Sequence, residues 1–354
     1  MSKRTIRSLG TAILTATATL AVSASIPNAA SASGVRSAAS LAKEGYLATN
    51  PAWGKLTLVI GDNGGDGSQA LAADTGIFKS ASYKVSFAKF TYGPPLVEAA
   101  ASGDISVGSV GDVPPITGAA QEFGFKIVAV ERSLYPTQPD EDIIVPKGSP
   151  IHTLAELKGK TIAVPQGSSA NGLVLLALKK AGLTPNEVSI DYLSPAAGAT
   201  AYASGKVDAW AIWNPQLSIE LGQGSRVLAK GLPPIDQTSS YEVASDKLLD
   251  NPVDKAALTN LLERDAYDFA WANKHPAKYA AAIAQEDGIT IAEAKSDIQA
   301  EENTITPIKP TDIAAEQSLG TAFLTAGQIT KKVNVSSITE NILPAGFDSE
   351  KQLG

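Results

Sequence analysis

The chain has 354 residues, a net charge of −7 at neutral pH, two histidines and no cysteine. That length gives ample core to one two-lobed body or two modest domains. Lack of cysteine excludes disulfides, thiol nucleophiles, thiolate metal sites and iron–sulfur clusters, and with no basic run longer than Lys331-Lys332 a nucleic-acid partner is excluded as well.

Residues 1–32 read as a secretory signal peptide. Lys3, Arg4 and Arg7 precede an uncharged stretch from Ser8 to Ser25, and Ala30-Ser31-Ala32 offers the small residues a signal peptidase needs, with cleavage after Ala32. Thr and Ser dilute the apolar segment, which argues against a permanent membrane span. Losing its three positive charges takes the chain from −7 to −10. No lipid-bearing Cys follows, so the protein is expected free in a periplasmic or secreted setting. Residues 33–54, small and polar, read as a linker.

From Leu56 the pattern alternates β and α. Leu56–Ile60 predicts a buried strand, followed by a Gly-rich loop and a helix to Phe78. A strand over Tyr83–Phe90, a helix from Gly93 to Ala101 with Pro in its first turn, and a strand over Ile105–Val110 come next. Gly111-Asp112-Val113-Pro114-Pro115 opens another helix, and Phe125–Val130 is again a strand. A break at 136–142 carries two prolines and three acids; Asp140-Glu141-Asp142 reads as a solvated charge run. The rhythm restarts with Ile143–Val145, a helix near Leu154, a strand over Thr161–Val164 and a helix over Ser168–Ala181, and runs to Val227–Ala229. A second break falls at Gly231–Pro234. Tyr241–Ala244 predicts a strand, and the rest reads as helical to about Thr325, including a long helix near Val253–Asn273 that buries Leu258, Leu261, Leu262 and Phe269. This predicts an α/β protein with a mostly parallel sheet in each of two lobes and a two-crossing hinge: lobe 1 is 55–141 plus 240–354, and lobe 2 is 142–239.

Three turns share one design of strand, small residues and helix start: Gly67-Ser68-Gln69, Gly111-Asp112-Val113 and Gly167-Ser168-Ser169. Glycine lets a ligand approach the backbone, and a helix N-terminus presents free N–H groups at its positive end. Each turn alone is equally an ordinary N-cap. A fourth segment, Val207 to Pro215, carries two of the chain's four tryptophans, Trp210 and Trp213, as flat apolar walls for a cleft or as core.

Gly108-Ser109-Val110-Gly111-Asp112-Val113-Pro114-Pro115-Ile116, Gly167-Ser168-Ser169 and Val207-Asp208-Ala209-Trp210-Ala211-Ile212-Trp213-Asn214-Pro215 occur in that order, with Leu154–Lys160, Asp236-Gln237-Thr238 and Thr306–Pro310 around them. In these motifs the chain resembles the aliphatic-sulfonate, taurine and nitrate branch of ABC-importer substrate-binding proteins, from about Leu56 to Pro344. The resemblance implies a type II periplasmic-binding fold that captures a small anionic organosulfonate and passes it to a membrane permease. It implies no catalysis, cofactor or metal, and a monomer is expected. Ligand contacts would fall on Ser68, Gln69, Gly93, Gly111, Asp112 (through its backbone), Val113, Gly167, Ser168, Ser169, Trp210, Trp213, Asn214, Tyr241 and Glu242. Taurine, nitrate or a thiamin-pyrimidine precursor is the alternative ligand. The chain departs from the family pattern at Asn214, where Asp is usual, at Glu242, where an aromatic is common, and in a first loop rich in Gly and Asp. Asp62, Asp66 or Glu242, if turned to the cleft, would favour a ligand with an amine.

Other chemistries are weakly signalled. Gly65-Asp66-Gly67-Ser68-Gln69-Ala70 fits a dinucleotide fingerprint, yet the acid expected after the next strand is missing. A serine hydrolase would need a base, and His152 and His275 read as surface residues. The loop at Asp62 faintly matches a calcium loop whose twelfth position is Ala73 instead of Glu.

Overall fold

The computed structural model describes residues 47–353 except 65–66, 135–136 and 299–302. The predicted signal peptide, most of the predicted linker, and Gly65 and Asp66 lie outside the described residues. Strands are β1 (Thr57–Asp62), β2 (Lys84–Lys89), β3 (Val107–Val110), β4 (Phe125–Ser133), β5 (Glu141–Val145), β6 (Thr161–Val164), β7 (Ser189–Tyr192), β8 (Ala209–Trp213), β9 (Arg226–Lys230), β10 (Ser239–Ser245) and β11 (Asn303–Thr306). Helices are α1 (Ser68–Thr75), α2 (Gly93–Ser102), α3 (Val113–Ala120), α4 (Ser169–Lys180), α5 (Pro195–Ala203), α6 (Gln216–Gly222), α7 (Asp246–Leu249), α8 (Pro252–Lys274), α9 (Pro276–Asp287), α10 (Ile291–Asp297), α11 (Pro310–Thr325) and α12 (Ser349–Leu353). Among the described residues, no helix is long and apolar enough to cross a membrane.

The strands sort into two sheets, ordered β11-β4-β10-β3-β1-β2 and β7-β6-β8-β5-β9. The chain passes from the first to the second between β4 and β5, and returns between β9 and β10. Each crossing delivers a strand against the local direction. β5 therefore runs antiparallel to β8 and β9, and β10 antiparallel to β3 and β4. The expectation of mostly parallel sheets is corrected on this point: four of the described pairings are parallel and five antiparallel. A second difference is β11, in a stretch that read as helical. Its four residues bury only Ile305 and lie at the sheet edge on β4, too short to leave a period in the sequence.

Helix α8 starts where Asn251 Oδ1 accepts from the Val253 N–H at 2.9 Å and Pro252 fills the first position, which needs no donor. Its apolar stripe, Leu258, Leu261, Leu262 and Phe269, packs on Leu58 and Ile60 of β1. Each such side chain contributes about 2 kcal/mol by burial. In the second lobe α4 lays Leu173, Val174, Ala177 and Leu178 on Ile143, Ile162, Val164 and Ala209, with Lys179 and Lys180 at its negative end. The same helix meets the first lobe: a Cβ added at Gly172 would sit 2.7 Å from Val113 Cγ2 of α3.

Helix α8 also buries Asp268, and burial pushes its carboxyl up to about 7, with a hydrogen bond from Thr75 offsetting only part. An unfolded Asp ionises near pH 4. Between about pH 4 and 7 the folded chain thus keeps a proton that the unfolded chain releases, and this group's effect is to lower stability as pH rises. Asp268→Asn is expected to raise the Tm by several degrees at pH 8 and hardly at all at pH 4, as measured by calorimetry.

Candidate functional site

The recess between the lobes begins with backbone. Gly111, at the turn between β3 and α3, faces Ser169 at the start of α4; a Cβ on Gly111 would lie 2.7 Å from Ser169 Cβ. Around this contact lies a cavity of about 90 Å³ lined by Asn63, Gly93, Gly111, Glu131, Asp140, Ser168, Ser169, Trp213, Asn214, Ser240 and Asn303. A smaller lobe of about 40 Å³ shares Gly111, Glu131, Asp140, Ser169, Ser240 and Asn303 with it and adds Asp112, Glu141 and Asp236. The two form one recess.

Its hydroxyls are largely committed. Ser168 caps α4: its Oγ accepts from Asn171 N–H at 3.3 Å and donates to the Pro165 carbonyl at 2.7 Å. Ser169 Oγ donates to Glu141 Oε2 at 2.6 Å. Glu131 accepts from Ser109 Oγ at 2.7 Å and from Asn303 Nδ2 at 2.6 Å. Asn63 Nδ2 donates to the Ser109 carbonyl at 3.2 Å, and Asn214 N–H to the Asp140 carbonyl at 3.0 Å. Among the described lining residues Trp213, at the end of β8, is the one aromatic wall.

The walls are acidic. Asp112, Glu131, Asp140, Glu141 and Asp236 all border the recess, and no lysine, arginine or histidine is among the described residues lining it. Burial raises every one of these carboxyls above its ordinary range. The Asp236 charge adds to the effect on Asp112, on Glu141 and on Asp140, which reaches about 7. For Glu131 the hydrogen bonds from Ser109 and Asn303 pull the other way.

Of the expected site residues, the recess gathers Gly93, Gly111, Asp112, Ser168, Ser169, Trp213 and Asn214. Trp210 is a correction. At 1% exposure it lies inside the second lobe with Ile144, Leu217 and Tyr202, whose ring centroid is 5.7 Å away. Residues 210 and 213 are an odd number apart on one strand and so face opposite sides of the sheet; only one can reach the recess. Adjacent Tyr241 and Glu242 diverge for the same reason. Tyr241 borders a separate groove behind the hinge, and Glu242 is enclosed in the first lobe with Ser68, Asp62 and Asp265. Asp62 accepts from the Gly64 N–H at 2.7 Å and pairs with Lys89 at 3.3 Å. Val113 is core between α3 and α11, Gln69 is exposed on α1, and Gly167 (φ +71°) shapes the turn against Pro94 and Thr117.

The acids at the first break are a further correction. Glu141 and Asp142 are 2% and 4% exposed instead of solvated, because they begin β5, which is flanked on both sides by β8 and β9. Glu131, Asp140, Asp236, Ser240 and Asn303 were missed. The signal that could have found four of them is position: they flank the two crossings, where a hinge must pass a cleft. Asn303 sits on the unread β11.

Residues 69–277 match the NMT1/THI5 like family. A putative aliphatic sulfonates-binding protein of Escherichia coli (strain K12) is 42% identical over 164 residues, 46% of this chain and 50% of that protein. The chain spans about half the length of the curated relatives that head the comparison. The alkanesulfonate-binding protein SsuA from Xanthomonas axonopodis pv. citri bound to MOPS superposes with a TM-score of 0.74 at 29% identity, covering 80% of this chain and 98% of that one. The periplasmic aliphatic sulphonate binding protein SsuA from Escherichia coli gives 0.70 at 32%, covering 80% and 96%.

Gly111→Ala tests whether the lobe contact is needed. The added methyl would hold the Ser169 turn away, so the variant is expected to fold with a Tm close to that of the parent yet to show a larger radius of gyration by solution scattering. An unchanged radius would mean that the turns yield locally.

Proposed function

We propose that this chain, which belongs to the NMT1/THI5-like family, is the solute-binding component of an ABC importer and captures an aliphatic sulfonate between its two lobes. The observation that carries the reading is the recess itself: it lies where the chain crosses twice between two sheets, with the α4 N-terminus on one side and the Gly111 turn on the other. Such a site is made by closure of the lobes and lost on opening, as capture and release require. We put the divide at 55–141 plus 240–354 against 142–239; the strands at its edges, β5 from Glu141 and β10 from Ser239, each begin one residue before it.

The sulfonate oxygens would be held by the positive end of α4 at Ser168 and Ser169, by the Gly111 turn, and by the side-chain amides of Asn63, Asn214 and Asn303. Trp213 would cover the organic tail. Neutral donors give moderate affinity, which suits a carrier that must unload. The function is binding and not catalysis: the Ser168 hydroxyl is spent on capping, and that of Ser169 faces a carboxylate and not an imidazole. Its relatives are named as binding proteins. The signal over 1–32 would place the mature protein outside the cytoplasm as a monomer, with a membrane permease as its partner.

Titration of the purified protein with alkanesulfonates, 2-aminoethanesulfonate, sulfate and nitrate tests this. Sulfonates are expected to raise the Tm, by about 2.7 kcal/mol of added stability at a hundredfold excess over Kd, and to give a saturable tryptophan signal. Trp213→Phe should remove that signal and Trp210→Phe should keep it. A preference for nitrate or sulfate, or no response to any sulfonate, would sink the reading.

A further inference from the structure

One hydroxyl beside the recess serves acceptors from both lobes. Ser218 lies on α6, four residues after Asn214, and its Oγ is 2.9 Å from Asn214 Oδ1. The same Oγ is hydrogen-bonded to Oδ1 of Asp297, the last residue of α10 in the first lobe. Helix α10 is anchored to that lobe by Ala294, which packs with Ala280 and Ile283 of α9. Asn214 lines the recess, and its N–H is tied to the Asp140 carbonyl. A serine hydroxyl carries one proton, so Ser218 can donate to Asn214 or to Asp297 but not to both. Asp297 is buried, and burial pushes its carboxyl up to about 6. The hydrogen bond from Ser218 pulls it down, while the charges of Asp287, at the end of α9, and Glu293, on α10 itself, push it up. Glu220 of α6 accepts from Ser225 Oγ at 3.2 Å, and Lys295 of α10 is exposed.

We infer that Ser218 and Asp297 are positioning residues for the anion: through Ser218 the first lobe sets which end of the Asn214 amide the recess presents. The inference rests on the sulfonate reading, in which that amide is a donor. When Asp297 carries a proton it donates to Ser218 Oγ, Ser218 donates to Asn214 Oδ1, and the Asn214 N–H2 end is left for a sulfonate oxygen. When Asp297 has lost the proton, its carboxylate is the stronger acceptor and takes the Ser218 hydrogen. Asn214 Oδ1 then faces a lone pair. The amide relieves this by turning its N–H2 end to Ser218 and its carbonyl oxygen to the recess, where it repels an anion. Ser218 and Asn214 neither gain nor lose a proton overall in either arrangement. Because Ser218 and Asp297 stand in different lobes, opening separates them, and the control exists only in the closed form.

The test is calorimetric titration with propane-1-sulfonate, whose own charge is constant, at pH 5 and pH 8, on either side of Asp297. The recess carboxyls impose a pH dependence of their own, so each variant is compared with its parent at the same pH. Asp297→Asn keeps a donor toward Ser218 at every pH. The ratio of the parent Kd to the Asp297→Asn Kd is expected to be about fivefold higher at pH 8 than at pH 5. In a Ser218→Ala background the same change should give a ratio independent of pH, and in a Ser218→Thr background the dependence should return. Melting curves check that each variant folds, and the single Asp297→Asn comparison stands where a double variant does not. A ratio equal at both pH values, as a merely structural role would give, would overturn the assignment and leave the sulfonate reading standing. So would a pH-dependent ratio that persists without the Ser218 hydroxyl. A folded parent that binds no sulfonate at either pH would overturn the sulfonate reading and this role with it.

Discussion

A Cβ on Gly111 would stand 2.7 Å from that of Ser169, and one on Gly172 the same distance from a methyl of Val113. The lobes thus meet along α3 and α4 with no room for another methylene, and the geometry of the recess depends on that fit. Two glycines, one on each partner, set how near the helices come. The fit also brings the N-terminus of α4 to the edge of the first sheet, so that a dipole belonging to one lobe acts on a cavity walled by both.

Against this positive helix end stand five carboxyls drawn from β4, α3, both crossings and the start of β5. Enclosing them costs stability unless they hold protons or find counter-charge. Part of the cost is offset inside the protein: Ser169 donates to Glu141, while Ser109 and Asn303 donate to Glu131. The recess is not alone in this: Asp268 in α8 and Glu316 in α11 are also buried, with carboxyls raised by burial. Other buried ions are answered. Arg264, fully buried in α8, donates to the Ile77 carbonyl at 2.6 Å and to Asn260 Oδ1 at 2.9 Å, and Lys89 reaches both Glu286 and Asp62.

Much of this was legible in the sequence, because strand and helix periods survive any arrangement of the lobes. The runs at 161–164 and 169–180 and the Ser168 cap are local events, written in adjacent residues. What failed was non-local. Parity along β8 forbids Trp210 and Trp213 from sharing a wall, and the count alone would have said so; which of the two faces the recess is decided only when β5 pairs beside them. Strand β11 exists because β4 offers it an edge. Glu141 and Asp142 look solvated in a Pro-bounded segment, and they become buried only when β8 and β9 close on either side.

The same distinction explains where the recess residues come from. Local signals locate turns and caps, and these supplied Gly111, Ser168 and Ser169. Residues that close the site, Glu131, Asp140, Asp236 and Ser240, stand beside the two crossings, in stretches whose composition reads as connection. A crossing strand must be short, and it must also turn its side chains toward the space it spans. In a two-lobed protein the segments that look like linkers are therefore the ones the cleft cannot avoid touching. Charge placed there acts on both lobes at once, whereas charge on an outer loop acts on water.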